Sequence, residues 1–202
     1  MTGSMMELVE ALQGYMQQGG LVMWPLVFAT LALWFGLGYR LLMLNRGTNL
    51  DVRALIRLHE SGEASEPRGF IDAAAARAVR VRRIYDGDIR RYLDDELFEL
   101  TANMSRYRTL VNTIIVIAPL AGLLGTVMGM IEMFDSLGDQ TFFSQSGGVA
   151  NGISQALLTT QFGLVIAIPG MLVGRLLDRR ENQMRSEVDQ IKDLLNAGNE
   201  PP

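Results

Sequence analysis

The sequence predicts an all-α integral membrane protein with three transmembrane helices, the second and third of which extend into the cytoplasm as a bundle. Three stretches carry no charged residue at all: 21–39, 109–131 and 140–174, the last with its apolar part starting near Val149. About 20 apolar residues are enough for a helix to cross the bilayer core. Helices buried in a soluble protein are the alternative, but soluble helices of this length normally carry a charged face. We therefore expect three spans.

Composition narrows the classes of function. Hydrophobic residues make up 49% of the chain and charged residues 20%, and there is no cysteine. A disulfide, a thiolate nucleophile and a sulfur-ligated metal are therefore excluded. His59 is the single histidine, which excludes a site built from several histidines. The sequence also shows no nucleophile–base pair and no phosphate-binding loop. We expect a protein that is not an enzyme, without cofactor, metal or nucleic acid.

The basic residues predict the orientation in the membrane. Thirteen lie between Arg40 and Arg108, five more lie from Arg175 onward, and none occurs in residues 1–20 or 136–148. Loops rich in arginine and lysine stay on the cytoplasmic side. We expect a multi-pass protein of the bacterial inner membrane, with a periplasmic N-terminus and a cytoplasmic C-terminus.

These observations divide the chain into seven segments. The soluble ones are a periplasmic amphipathic segment, a cytoplasmic helical domain, a periplasmic loop and a cytoplasmic helical tail, at 1–20, 45–108, 136–148 and 177–202. The transmembrane helices are placed at 21–44, 109–135 and 149–176. Because neither proline nor glycine occurs between Ile89 and Pro119, we expect the second span to continue inward as one helix. The third is expected to run from Val149 to Asn196, about 70 Å at 1.5 Å per residue.

Small residues form a stripe along the second span. Their spacing of three and four places them on one face, where neighbouring backbones can approach closely; they are Ala118, Gly122, Gly125 and Gly129. Thr126 sits beside this stripe. Asn112 and Pro119 are one heptad apart and return to nearly the same angle. Pro119 also leaves a carbonyl without its usual donor.

The third span is unusually polar for a membrane helix. Six polar residues fall within eleven positions: Asn151, Ser154, Gln155, Thr159, Thr160 and Gln161. Asn151, Gln155 and Thr159 share a face, whereas Thr160 lies on another. Such groups either join helices by hydrogen bonds, worth about 1 kcal/mol or less each, or line a water-accessible interior. The middle of the membrane contains no acidic residue, so we expect any proton-binding group to come from a partner.

Two segments of these spans resemble the MotA/TolQ/ExbB family of proton-channel motor proteins. They are APLAGLLGTVMGM at 118–130 and GISQALLTTQFGLVIAIPG at 152–170. The order of spans and the short outer loop resemble the three-span ExbB/TolQ branch, and the chain is most similar to ExbB. The resemblance is close over residues 105–180 and loose elsewhere.

The resemblance implies a membrane motor rather than a passive protein. It implies a pentamer of this chain in the bilayer around a dimer of a single-span ExbD-like partner that carries a titratable aspartate. Proton flow would then drive mechanical work on a TonB-like protein for active transport across the outer membrane. By motif, Thr126 and Thr160 correspond to the pore-facing threonines, and Pro119 and Pro169 to the helix-shaping prolines. Asn112, Gln155 and Thr159 complete the expected ion-path lining, and Gly122, Gly125 and Gly129 the expected packing surface.

One position departs from the family pattern. Many ExbB and TolQ proteins have a glutamate where this chain has Gln155, and an amide cannot relay protons by titration. The resemblance leaves a TolQ-like envelope-maintenance motor or a motility motor as the alternative within the class. A passive membrane scaffold, in which the polar residues only join helices, is the alternative outside it.

Overall fold

The computed structural model describes residues 14, 16, 19–48, 50–62, 67, 69–85, 88–138 and 145–197, and over these ranges it contains six helices. In chain order they are α1 (Met23–Met43), α2 (Val52–Ser61), α3 (Phe70–Ile84), α4 (Arg90–Met104), α5 (Arg108–Gly138) and α6 (Gln145–Ala197). The predicted amphipathic segment at 1–20 lies almost wholly outside the described residues.

Three of these helices are long and apolar enough to cross a membrane, which confirms the predicted spans. They are α1, the helical stretch that contains α5, and α6. Large apolar side chains on all three are exposed, among them Phe28 at 67%, Leu120 at 58% and Leu157 at 67%. Such exposure is expected where hydrocarbon rather than water surrounds the protein. The all-α fold class is confirmed over the described residues.

The N-terminal continuation of the second span is helical but interrupted. A three-residue turn at 105–107 separates α4 from α5. Tyr107 has φ +65°, in the left-handed region that a non-glycine residue rarely adopts. The Ser105 hydroxyl donates to the Ala102 carbonyl at 3.1 Å, a local bond of the kind that competes with helix continuation. The absence of proline and glycine predicts one unbroken helix here, and the structure differs from that prediction by this turn.

The third span continues as one helix, as predicted. It begins at Gln145 and ends at Ala197, and Pro169 lies inside it without ending it. On the other side of the predicted loop at 136–148, α5 reaches Gly138. The two helices therefore extend a few residues further into that loop than the hydropathy pattern indicated.

Two compact units make up the fold. The first comprises Met1–Gly36 and Leu110–Val173, and it holds the apolar parts of the three long helices. Its three helices meet at Gly170 of α6, where an added Cβ would lie 2.8 Å from Leu33 of α1 and 3.3 Å from Ile115 of α5. The Leu33 and Ile115 side chains are buried.

The second unit comprises Leu37–Thr109 and Gly174–Pro202. Within it, the buried residues of α6 repeat at steps of four and three, which is the pattern of a helical-bundle seam: Leu177, Glu181, Met184, Val188, Ile191 and Leu195. Helices α2, α3 and α4 supply further buried apolar residues to this unit. His59 of α2 and Asp72 of α3 lie 2.7 Å apart and are largely buried. Glu181 is the charged member of the seam.

Candidate functional site

Helices α5 and α6 approach each other closely along the glycine stripe. A Cβ added at Gly122 would lie 2.9 Å from the Thr159 carbonyl oxygen, and one at Gly129 would lie 2.6 Å from the Gly152 carbonyl oxygen. One at Gly125 would collide with the Thr159 side chain. The contact is reciprocal, since a Cβ at Gly163 would lie 2.7 Å from the Ala118 carbonyl oxygen. Close backbone contact of this kind is what small residues permit in membrane helices.

Two threonine hydroxyls lie beside this contact. The Thr160 hydroxyl is within 3.1 Å of the Ala156 carbonyl of its own helix and 3.4 Å of the Gly122 carbonyl of α5. The Thr126 hydroxyl donates to the Leu123 carbonyl at 2.6 Å. Each hydroxyl has one proton to donate and two lone pairs to accept with. Both oxygens therefore keep acceptor capacity for water or another polar group.

Both threonines lie on the same side of the α5–α6 pair. On α5, Thr126 follows Gly125 and lies one turn beyond Gly122; on α6, Thr160 follows Thr159. The two helices run in opposite directions and both are right-handed. The residue that follows a contact residue is rotated by about 100° around each helix, and in an antiparallel pair this rotation brings it to the same side of the pair on both helices. Pro119 and Asn112 lie seven and fourteen positions before Thr126 and return to this side. The Asn112 side chain is exposed and Pro119 is partly so. We call these four residues the polar flank.

Gln155 and Thr159 do not share the polar flank. Thr159 has 0% exposure, and its hydroxyl bonds to the Gln155 and Ala156 carbonyls of its own helix. Gln155 has 9% exposure, and its amide lies against Gly20, where φ is +63°. A side chain at position 20 would collide with the Gln155 amide. The sequence predicts both residues in the ion path, because helical periodicity does not tell which face of α6 is covered by which neighbour.

The two prolines lie within helices that continue past them. Pro119 is inside α5 and Pro169 inside α6. Each removes one main-chain donor, so the carbonyl four residues earlier loses its usual partner. Pro169 also lines an apolar groove of about 360 Å³ between α1 and α6, together with Trp34 and Phe162. Pro119 therefore lies on the same side of α5 as Thr126, whereas Pro169 faces the first span.

Comparison with known proteins now decides the family. The sequence profile of the MotA/TolQ/ExbB proton channel family matches residues 64–190, more than half of the chain. The chain belongs to this family. Three transmembrane-length helices and membership of this family make it a multi-pass inner-membrane protein and a proton-channel subunit.

Several curated relatives carry the ExbB name. An ExbB-like 3 biopolymer transport protein of Synechocystis is 34% identical over 133 residues, covering 63% of each chain. Biopolymer transport protein exbB1 of Vibrio cholerae is 26% identical over 205 residues, covering 93% of this chain and 88% of its own. Biopolymer transport protein ExbB of Salmonella typhimurium is 34% identical over 88 residues, covering 44% and 36% respectively. The expected similarity to ExbB is confirmed.

This family member also contains a buried charge network that sequence reasoning missed. Arg40, with 0% exposure, donates to Asp178 at 2.8 Å and to the equally buried Glu181 at 2.9 Å. Arg108 lies 3.5 Å from Glu181, and Arg185 lies 3.0 Å from it. The last turn of α1, the start of α5 and the stretch 178–185 of α6 are thus fixed to one carboxylate pair within the second unit. The signal in the sequence was an acid at position 181, inside an otherwise apolar repeat with steps of four and three.

Proposed function

We infer that this chain is the proton-channel subunit of an ExbB-type inner-membrane motor, in which the polar flank lines the ion path. The observation that carries this inference is the placement of the Thr126 and Thr160 hydroxyls on one side of a tightly packed helix pair, with Asn112 and Pro119 beside them. A hydroxyl oxygen with free lone pairs accepts hydrogen bonds from water, and polar groups at membrane depth normally face protein or water.

The flank provides hydrogen-bonding groups but no group that binds a proton at neutral pH. The sequence of the spans has no acidic, basic or histidine side chain between Thr109 and Ile131 or between Gln140 and Gly174. Hydroxyls have no accessible pKa for this purpose. The proton-binding carboxylate is therefore proposed to come from a single-span, ExbD-like partner that lies against the polar flank.

The remaining parts of the proposal follow from the family. Several copies of the chain, a pentamer in the simplest case, surround a dimer of the ExbD-like partner. Proton flow through this assembly performs work on a TonB-like protein for active transport across the outer membrane. The orientation with the C-terminus inside rests on the basic residues. Support for the assembly comes from the polar flank, in which Asn112 is exposed and the other three residues are partly exposed, because polar groups are costly against lipid.

We expect Thr160→Val to reduce proton conduction to the background level of the bilayer. Valine keeps the shape of threonine but removes the hydroxyl, and with it the polar contact to Gly122. Conduction is measured as acidification of proteoliposomes that contain this chain and its genomic ExbD-like neighbour. Thr160→Ser restores a hydroxyl at the same place and is expected to retain most of the conduction.

Thr30→Val is the matched control. The Thr30 hydroxyl donates to the Leu26 carbonyl of its own helix, at 2.7 Å, and Thr30 lines the groove between α1 and α6. The same chemical change there is expected to leave conduction unaltered. If Thr160→Val conducts normally while the oligomer still assembles, the polar residues only join helices and the chain is a scaffold.

A further inference from the structure

Gln161 presents an amide on the outer surface of α6. Its side chain is exposed, and among the residues that the structure describes it has no side-chain hydrogen bond. It lines a shallow cavity of about 350 Å³ with Leu158, Phe162 and Val165. Gln161 is one of the six polar residues of the third span, but the polar flank does not include it.

The position of Gln161 along α6 places it in the middle of the apolar stretch. That stretch runs from Val149 to Gly174, and Arg175 lies about 21 Å away from Gln161 at 1.5 Å per residue. The side chain is far too short to reach either membrane surface. An amide exposed to hydrocarbon without a hydrogen-bond partner is unfavourable, so another polypeptide is expected to cover this position.

Gln161 points away from the contact between α6 and α5 of its own chain. Thr159 and Gly163, which pack on α5, lie two positions to either side of it, about 200° around the helix. Its neighbours on the outward face are apolar and exposed, namely Leu157, Leu164, Val165, Ile168 and Leu172. A water-filled path would be lined by more polar groups. The outward face of α6 is therefore suited to packing against another helix, with one amide at its centre.

We propose that this face packs on α5 of a second copy of the chain, with the Gln161 amide donating to that helix near Leu120 and Leu124. The inference rests on the proposed function in one respect, namely that several copies surround a common path. Helix α5 presents a complementary apolar face directed away from its own α6, formed by Val116, Leu120, Leu124 and Val127, each at least 50% exposed.

The depth of Gln161 in the membrane determines which residues of the neighbouring copy's α5 it can contact. Within one chain, a Cβ at Gly122 would lie 3.1 Å from the Thr160 Cα and 3.5 Å from the Gly163 Cα, so Gln161 and Gly122 are at equal height. Copies related by a rotation axis along the membrane normal keep equal heights. Gln161 of one copy therefore faces residues 120–124 of the next. Main-chain carbonyls there retain a second lone pair that accepts the amide N–H.

Disulfide trapping tests this contact, and the chain suits it because it contains no cysteine of its own. The full-length double variants Gln161→Cys/Leu120→Cys and Gln161→Cys/Leu124→Cys are oxidised in native membranes and separated without reductant. We expect a ladder of covalent multimers from at least one pair. Gln161→Cys/Ile131→Cys is the control, since Ile131 is 55% exposed but lies about 13 Å further along α5 from Gly122, beyond disulfide reach.

Labelling of the single variant Gln161→Cys gives the outcomes that overturn the proposal. Modification by a water-soluble maleimide in the assembled complex would place the residue on an aqueous path. Modification by a lipid-phase reagent, with no covalent multimers from either double variant, would place it against lipid. Protection from both reagents together with multimer formation supports the contact between copies.

The contribution of the amide is measured separately. Gln161→Leu is expected to weaken association between copies by about three- to fivefold per interface, seen as earlier dissociation when detergent is titrated into the complex. Asn151→Leu, which removes an exposed amide nearer the outer end of α6, is the control and should dissociate like the unaltered protein. If Gln161→Leu dissociates at the same detergent concentration as the unaltered protein, the Gln161 amide makes no stabilising hydrogen bond between copies.

Proton conduction separates this inference from the proposed function. If the copies cross-link at position 161 but the complex conducts no protons under any condition, the contact between copies stands and the proposed channel function is wrong. If the complex conducts protons but no cross-link forms at position 161, the channel function stands and the contact is wrong.

Discussion

Glu181→Ala is expected to destabilise the second unit by about 3–5 kcal/mol, the usual result of breaking a buried ion pair by removing one partner. Arg40 and Glu181 both have 0% side-chain exposure. Among the residues that the structure describes, the Arg40 Nε and Nη1 atoms already lack a hydrogen-bond partner, so the guanidinium depends on Asp178 and Glu181. Without Glu181, a buried cation would keep only the partly exposed Asp178.

Hydrogen exchange of the α4 and α6 amides in detergent or nanodiscs measures this loss. Arg40→Met is expected to cost less than Glu181→Ala, because Glu181 would retain Arg185 at 3.0 Å and Arg108 at 3.5 Å. Asp193→Asn provides the surface control. Asp193 forms an ion pair with Arg90 in which the two side chains are 61% and 60% exposed. Exposed ion pairs of this kind contribute about 0–1 kcal/mol to stability. Equal losses from Glu181→Ala and Asp193→Asn would contradict a structural role for the buried network.

Gly129→Ala is expected to destabilise the α5–α6 contact by about 1–3 kcal/mol, the usual cost of inserting a methyl group into a packed interface. The new Cβ would lie 2.6 Å from the Gly152 carbonyl oxygen and 2.8 Å from the Ala156 nitrogen. Both are main-chain atoms, so relief requires the two helices to move apart. That movement would also lengthen the contact between Thr160 and the Gly122 carbonyl.

Gly38→Ala is the matched control and is expected to change stability in the opposite direction. Gly38 lies inside α1, and an added Cβ there meets nothing within 4 Å among the described residues. Alanine is favoured over glycine in a helix interior by about 1 kcal/mol. Unfolding in mixed micelles of increasing SDS content measures both variants. If Gly129→Ala were as stable as Gly38→Ala, the helices could separate freely and the close contact would have no energetic role.

Much of this fold was predictable because its signals are local. Stretches without charge are read directly as spans, and steps of three and four between Gly122, Gly125 and Gly129 define a helix face whatever packs on it. The helical tail of the third span follows from an unbroken run of helix formers. The turn before α5 was not predictable from glycine or proline, because Tyr107 adopts a left-handed conformation that few sequence patterns announce.

The sequence by itself determined that two spans carry small and polar residues at helical spacing, and that no acid lies among them. Only the tertiary structure decided which polar residues act together. Thr160 lies beside Gly122 on the polar flank, Gln155 lies against Gly20, and Gln161 lies on the outward face, although all three fall within seven positions of one helix. The physical reason is that successive residues differ by about 100° around a helix. Their environment is therefore set by what surrounds α6 on each side, which periodicity alone does not contain.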